Sequence, residues 1–425
     1  MSLVQPNLWQ KACRNLLLRV LGDLQQGTIH IRDGEGSWSL GDAGVNSSLK
    51  VQVEVENPAF YPAVLFQQSA GTGRAYMEGW WHCDDLVGLM RILARNEEVL
   101  QKWTAPAHGL LSPWHRLALW ARRNTPAGAR RNIAAHYDLG ENFFAAFLDP
   151  SLTYSSAFFT EEAQDLPSAQ REKLDLVCRK LDLGPRDHVL EIGTGWGSFA
   201  LYAVRNYGCR VTTTTLSAEQ ARYTADQVER LGLRDRITVL QEDYRKLTGK
   251  FDKLVSLEMI EAVGVRYFPT YFRRCSDLLR PDGAMLLQAI VVDDRHFLRD
   301  ARQVDFIKQY IFPGGALPSV SVIANTVAQD TDLQMAHLED LTAHYARTLR
   351  LWRENLLAAW SHLRAAGKKD AFLRRWEFYF AYCEGGFRER RIGVVQTLLA
   401  KQACRDLKIL QAPTAMPAMK EGRAS

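Results

Sequence analysis

Between Asp187 and Val292 the chain alternates apolar runs with amphipathic stretches. DHVLEI, CRVTTTT, ITVLQ, FDKLVSLE and AMLLQAIVV read as strands. The segments from Ser198 to about Tyr207, Ala218 to Leu231 and Tyr267 to Leu279 read as helices. Near-continuous apolar strands separated by helices signify a parallel sheet covered on both faces. Further on, LQMAHLED, a long helical stretch and IGVVQTLLA offer a sixth and a seventh strand.

The first hundred residues follow another pattern. An amphipathic helix (Leu8, Trp9, Ala12, Leu16, Leu17, Val20, Leu21) gives way to period-two segments in GTIHIRDG, GSWSLGDA and SLKVQVEVENP. The expected organisation is an α+β domain over 1–100, a linker over 101–131 with a short helix, an α/β domain over 132–412 and a loose tail over 413–425. A length of 425 residues suits two such domains.

Composition excludes more than it selects. With 47% hydrophobic and 24% charged residues the chain is an ordinary globular one. Its seven cysteines form no CxxC pair, so neither a disulfide framework nor a thiolate metal cluster is expected, and a reducing cytoplasm is the expected home. No apolar run approaches the ~18 residues that a spanning helix needs, so any membrane contact is peripheral. The net charge of +5 does not choose between partners. Arginine clusters at Arg122-Arg123, Arg130-Arg131, Arg374-Arg375 and Arg388 to Arg391 suit solvated helix faces or lipid headgroups. No nucleic-acid-binding pattern accompanies them, so no nucleic acid partner is expected.

VLEIGTGWGSFA sets Glu191, Gly193, Gly195 and Gly197 at a strand-to-helix turn, where missing Cβ atoms allow close approach to the backbone. Such a turn on its own could also hold a dinucleotide, or serve structure alone. The acid two positions before the first glycine, TTTTLSAEQ after the second strand and EDY after the third favour an amino-acid-bearing nucleoside.

At this point the chain resembles the cyclopropane-fatty-acid synthases and mycolic acid methyltransferases. The motifs that carry the likeness are HYDLGENFFAAFLDPSLTYSSAFF, VLEIGTGWGSFA, TLSAEQ, EDY, EMIEAVG and YFAYCEGGFRER. The resemblance implies a Rossmann-like, seven-stranded S-adenosylmethionine-dependent methyltransferase domain beside a smaller N-terminal α+β domain that recruits lipid. It implies that Tyr154, Ser155, Gly193 and Gly195 touch the methionine end of the cofactor. Thr215, Leu216 and Gln220 would hold the ribose and carboxylate side, and Asp243 with Tyr244 would frame the adenine. The reaction implied is transfer of a methyl or methylene carbon to the cis double bond of a phospholipid acyl chain at the inner face of the membrane, with no metal.

Such a reaction must align alkene and sulfonium, exclude water and stabilise a carbocation. Alignment can supply on the order of 7 kcal/mol. Aromatic faces contribute ~1 to 2 kcal/mol each when desolvated, and Trp376, Phe378, Tyr379, Tyr382 and Phe387 are candidates. Glu261, just beyond the fourth strand, would by resemblance stand beside the reacting methyl and help hold a bicarbonate ion that removes the proton. Tyr345 lies on a core-like stripe, yet matches the family's site tyrosine. Gln288 interrupts an apolar strand and shares a face with Ile290. Cyclopropane synthases usually have histidine at position 288 and cysteine where this chain has Ser156, so two members of the bicarbonate cage differ.

The expected product is a cyclopropane ring; with the cage altered, the alternative is a methyl-branched unsaturated chain. Two rivals are a methyltransferase for small molecules or nucleic acids, which predicts an Asn-Pro-Pro-Tyr-type loop where this chain has EMIEAVG, and an inactive lipid-binding relative. KQYIFPGGALPS suits an acyl-tunnel lid or a structural loop, and the N-terminal helix suits a membrane interface or packing on its own domain. Acyl and headgroup preference, and pairing into a homodimer, stay open.

Overall fold

A computed structural model describes residues 5–42, 49–101 and 139–405. The expected linker helix, the arginine pairs at 122–123 and 130–131, His136 and the tail over 413–425 lie outside the described residues.

Asn7 caps helix α1 (Leu8–Gly22) in a capping box with Gln10, which satisfies the first orphan amides. Cys13, Leu17, Val20 and Leu21 on its inner face are buried. The sheet of this unit has the order β2-β1-β3-β4. Its strands are β1 (Thr28–Asp33), β2 (Gly36–Leu40), β3 (Lys50–Val55) and β4 (Trp81–Cys83). Val51, Val53 and Val55 point inward from β3, as its alternation predicts. Helices α2 (Phe60–Met77) and α3 (Leu86–Arg95) escape the sequence reading. In α2 the reason is visible, because Gln68 has φ +48 and breaks the helical period midway.

The larger sheet has seven strands in the order β10-β11-β9-β8-β5-β6-β7. They are β5 (His188–Ile192), β6 (Arg210–Thr214), β7 (Ile237–Leu240), β8 (Phe251–Leu257), β9 (Leu279–Val292), β10 (Leu333–Asp340) and β11 (Ile392–Lys401). Strands β5 to β9 run parallel, while β11 is antiparallel to both β9 and β10. Strand order reverses between β5 and β8, and such a switch point opens a crevice at the carboxyl ends.

Before the sheet come α4 (Glu141–Ala145) and α5 (Leu166–Lys180); within it, α6 (Ser198–Tyr207), α7 (Ala218–Arg230) and α8 (Phe268–Leu278). These last three fall within a residue of the expected bounds. A cover follows, of α9 (Phe297–Asp300), α10 (Val320–Asp330), α11 (Thr342–Ala358), α12 (Trp360–Ala365) and α13 (Asp370–Arg388).

Helix α13 joins the two units. Glu389, its C-cap, accepts from Arg91 at 2.6 Å and Arg95 at 2.7 Å, both on α3. On the same helix Phe378 packs on Tyr76 at 5.7 Å and Trp81 at 6.4 Å. Phe306, ahead of the turn over Ile307–Ile311, lies 4.6 Å from Phe378, and its amide donates to Ser69 on α2.

Candidate active site

The glycine turn divides its labour. Gly193, Gly195 and Gly197 have φ of +103, +52 and +86, which L side chains rarely adopt. The amides of Gly193 and Thr194 donate to the Thr214 carbonyl at 3.0 and 3.1 Å, tying the turn to β6. A Cβ on Gly197 would lie 2.7 Å from Thr224, so that glycine serves packing. A Cβ on Gly195 would meet no atom of the described residues within 4 Å, so among them that glycine borders open space.

The other groups expected to hold the cofactor come from the ends of three parallel strands. Glu191 is buried at the end of β5, with the Thr213 hydroxyl 2.6 Å from its carboxylate. Burial, opposed by Thr213 and Lys173, pushes its pKa up to about 8. Beyond β6, Thr215 donates to Gln220 at 2.8 Å, and Leu216 between them is half-buried. Beyond β7, Asp243 is engaged by Arg245, whose Nε lies at 2.8 Å and Nη2 at 2.5 Å. Tyr244 stands edge-on to Tyr271.

From the segment between α4 and α5 come Tyr154 and Ser155. The Tyr154 ring lies 5.2 Å from Trp352, and its hydroxyl donates to that of Tyr379 at 3.3 Å. The Ser155 hydroxyl accepts from the fully buried Lys173 at 2.8 Å. Burial lowers the Lys173 pKa to about 8, against the pull of Glu258, Asp149 and Glu191.

Four of the expected catalytic residues converge on two acids just past β8. Glu261 accepts from the Ile290 amide at 2.5 Å, while its second oxygen is buried without a partner among the described residues. Burial and the neighbouring charge of Glu258 push the Glu261 pKa up to about 8. Ser156, Gln288 and Tyr345 are paired with the other acid, not with Glu261. All three donate to Glu258: the Ser156 amide at 2.8 Å, the Gln288 side-chain amide at 2.6 Å and the Tyr345 hydroxyl at 2.7 Å. Burial raises the Glu258 pKa while these three donors oppose the rise.

Sequence reasoning missed Glu258, although SLEMIE shows a second acid three residues before Glu261, directly after the strand. It also missed Lys173 and Trp196, which sit inside helical and glycine-rich patterns. Of the five aromatic candidates, Tyr379 bonds Tyr154 and Phe387 lies 4.6 Å from Tyr345, so both reach the site. Phe378 and Tyr382 instead face the N-terminal unit and Phe306, because a helix sends positions four apart to one face. Trp376 belongs to a cluster with Phe143, Phe144 and Phe147. The KQYIFPGGALPS segment does border the acids: the Ala316 amide donates to the Glu261 carbonyl at 2.8 Å.

Among the described residues, open room beside Gly195, a buried acid on β5 and the buried, unpartnered Nε1 of Trp196 fit a nucleoside bearing an amino acid. With the seven-stranded order, they define an S-adenosylmethionine-dependent methyltransferase. The family model of mycolic acid cyclopropane synthetase matches residues 125–397, and the chain belongs to that family. It is 39% identical over 343 residues to the tuberculostearic acid methyltransferase UfaA1 of Mycobacterium tuberculosis, covering 78% of this chain and 79% of the relative. It is 35% identical over 368 residues to the cyclopropane-fatty-acyl-phospholipid synthase of Escherichia coli K12, covering 86% and 92%. The crystal structure of mycolic acid cyclopropane synthase CmaA1 complexed with SAH and CTAB is similar, with a TM-score of 0.60 and 31% identity over 64% of this chain and 98% of that one. The protein is therefore an enzyme, a C-methyltransferase that uses S-adenosylmethionine.

Proposed function

We propose that the enzyme transfers the methyl carbon of S-adenosylmethionine to the cis double bond of an acyl chain in a membrane phospholipid and closes a cyclopropane ring. One observation carries the reading: a buried carboxylate pair to which Tyr345 donates, with Trp352 and Phe387 packed on the Tyr345 ring and Tyr154 joining Trp352 to Tyr379. S-adenosylmethionine supplies an electrophilic methyl. The residues supply what an alkene attacking it needs: π faces for the cation that forms, a dry enclosure and a carboxylate to take a proton. The likeness to the Escherichia coli synthase, which covers 86% of this chain and so reaches into the N-terminal unit, supports the phospholipid and the ring.

Contact with the inner face of the membrane is supported by an exposed apolar patch. Leu8 is 87% and Trp9 59% exposed, and Trp9 stacks on the half-exposed Phe66 at 5.7 Å. No described helix is long and apolar enough to cross a membrane.

The experiment uses liposomes of cis-unsaturated phospholipid and donor with a trideuterated methyl. Product fatty acids with two retained deuteriums and high-field ring protons are expected, and absence of any acyl product would overturn the proposal. The second reading, a methyl-branched unsaturated chain, is favoured by Ser156 and Gln288 in place of cysteine and histidine and by the tuberculostearic acid methyltransferase relative. It predicts three retained deuteriums and a surviving alkene, with Gln288→His shifting the partition toward the ring.

A further inference from the structure

We propose that Glu258 is the enzyme's own base: its carboxylate fills the cage in which bicarbonate is expected and takes the proton that the alkylated chain must lose. This rests on the reading of the reaction given above. Three donors from separate parts of the chain meet on this one side chain, namely the Ser156 amide, the Gln288 amide and the Tyr345 hydroxyl. They would have to hold the planar O–C–O of bicarbonate, and they already hold that of a carboxylate. Bicarbonate therefore does not fit the site alongside Glu258.

The backbone says the same. Glu258 has φ +51, a left-handed conformation that strains a non-glycine residue, and a glycine would hold the turn without that strain. The side chain persists there because its contacts retain it. The amide of Gln288 is moreover set to donate: its oxygen accepts from Gln396 at 2.9 Å, and the Gln396 oxygen accepts from Lys180 at 2.6 Å. Glu261, the acid the sequence singled out, has one orphaned oxygen and faces a like charge, so it is the member of the pair that keeps its proton.

In the step itself, the alkene's π pair forms a bond to the methyl carbon as that carbon's bond to sulfur breaks. The chain then carries a positive charge. A C–H bond on the transferred methyl breaks, its electron pair closes the ring, and the proton passes to a Glu258 oxygen. In the methyl-branched outcome the C–H bond belongs to a neighbouring chain carbon, and the acceptor is the same.

Glu258→Gly suits the backbone and empties the cage, so it tests the idea without threatening the fold. Binding of 13C-bicarbonate, followed by NMR line broadening, needs no knowledge of the lipid. Glu258→Gly is expected to bind it and the parent enzyme not to. Binding by the parent, or none by Glu258→Gly, overturns the proposal even if no acyl product is ever found. In turnover assays in carbonate-stripped buffer, the parent should keep its rate within about twofold, while Glu258→Gly and Glu258→Gln fall about 100-fold or more. Added bicarbonate should restore about tenfold to Glu258→Gly and nothing to Glu258→Gln. A parent enzyme that stops on stripping and recovers with bicarbonate would overturn the assignment, as would a glycine variant at full rate in stripped buffer.

Discussion

Gln288 and Gln396 lie directly opposite each other on β9 and β11, and the Gln396 side-chain amide donates to the Gln288 oxygen at 2.9 Å. Both residues are fully buried. A buried amide can turn either end toward a carboxylate, and Gln396 fixes which end Glu258 meets. In Gln396→Leu the Gln288 oxygen loses its donor, which costs ~1 to 3 kcal/mol of stability. The melting temperature is expected to fall and turnover to drop about tenfold, with donor affinity by calorimetry unchanged.

The glycine turn makes a paired prediction. Gly195→Ala places a methyl in the open space beside the turn, so affinity for S-adenosylmethionine should fall about tenfold or more, while stability drops only by the ~1 to 2 kcal/mol that a left-handed φ costs an L residue. Gly197→Ala carries the same backbone cost and also drives its methyl against Thr224, so it should lower the melting temperature further, by the ~1 to 3 kcal/mol of an overpacked core. Calorimetric titration and thermal unfolding of both variants separate the two roles.

Glu261 predicts how stability follows pH. Its pKa rises from 4.5 to about 8 on folding, so between these values the native state binds the proton more tightly than the unfolded chain. The stability it contributes is complete below the unfolded value and is lost as pH rises through the folded one. Glu261→Gln removes this titration. Its unfolding free energy should decline less between about pH 5 and 8, with a slope smaller by up to about one proton. Denaturant titrations of parent and variant at several pH values measure this.

The exposed patch on α1 and α2 predicts a membrane phenotype distinct from a chemical one. Removing Leu8 or Trp9 from water is worth ~1.5 to 3 kcal/mol each. Leu8→Ser and Trp9→Ser should each weaken sedimentation with phospholipid vesicles about tenfold and leave donor binding intact. Equal vesicle binding by the variants would remove this face from the membrane contact.

Much of this architecture is legible in the chain because its strands are short and apolar and its helices carry caps. Ser217 caps α7, and the glycine turn marks where β5 stops, whereas α5, capped by Asp165, escaped the reading. The hub of the site was not legible. Glu258 follows a strand as any solvated acid does, and what distinguishes it is a positive φ and three donors 30 to 102 residues away in sequence. Gln288 does show as a polar break in an apolar run, but its partner Gln396 lies 108 residues on and on another strand. The aromatic residues of α13 show the same limit. Spacing sorts them onto faces without telling which face meets Tyr345 and which meets Tyr76.

Gly73 on α2 leaves no room for a side chain, since a Cβ there would come within 2.1 Å of the Phe306 ring. Phe306 leads directly into the segment that closes on Glu261. The two halves of the enzyme are thus not exchangeable modules: an N-terminal unit grafted from a relative would dislodge this ring unless it brought an equally bare helix surface, so Gly73 and Phe306 must be inherited as a pair.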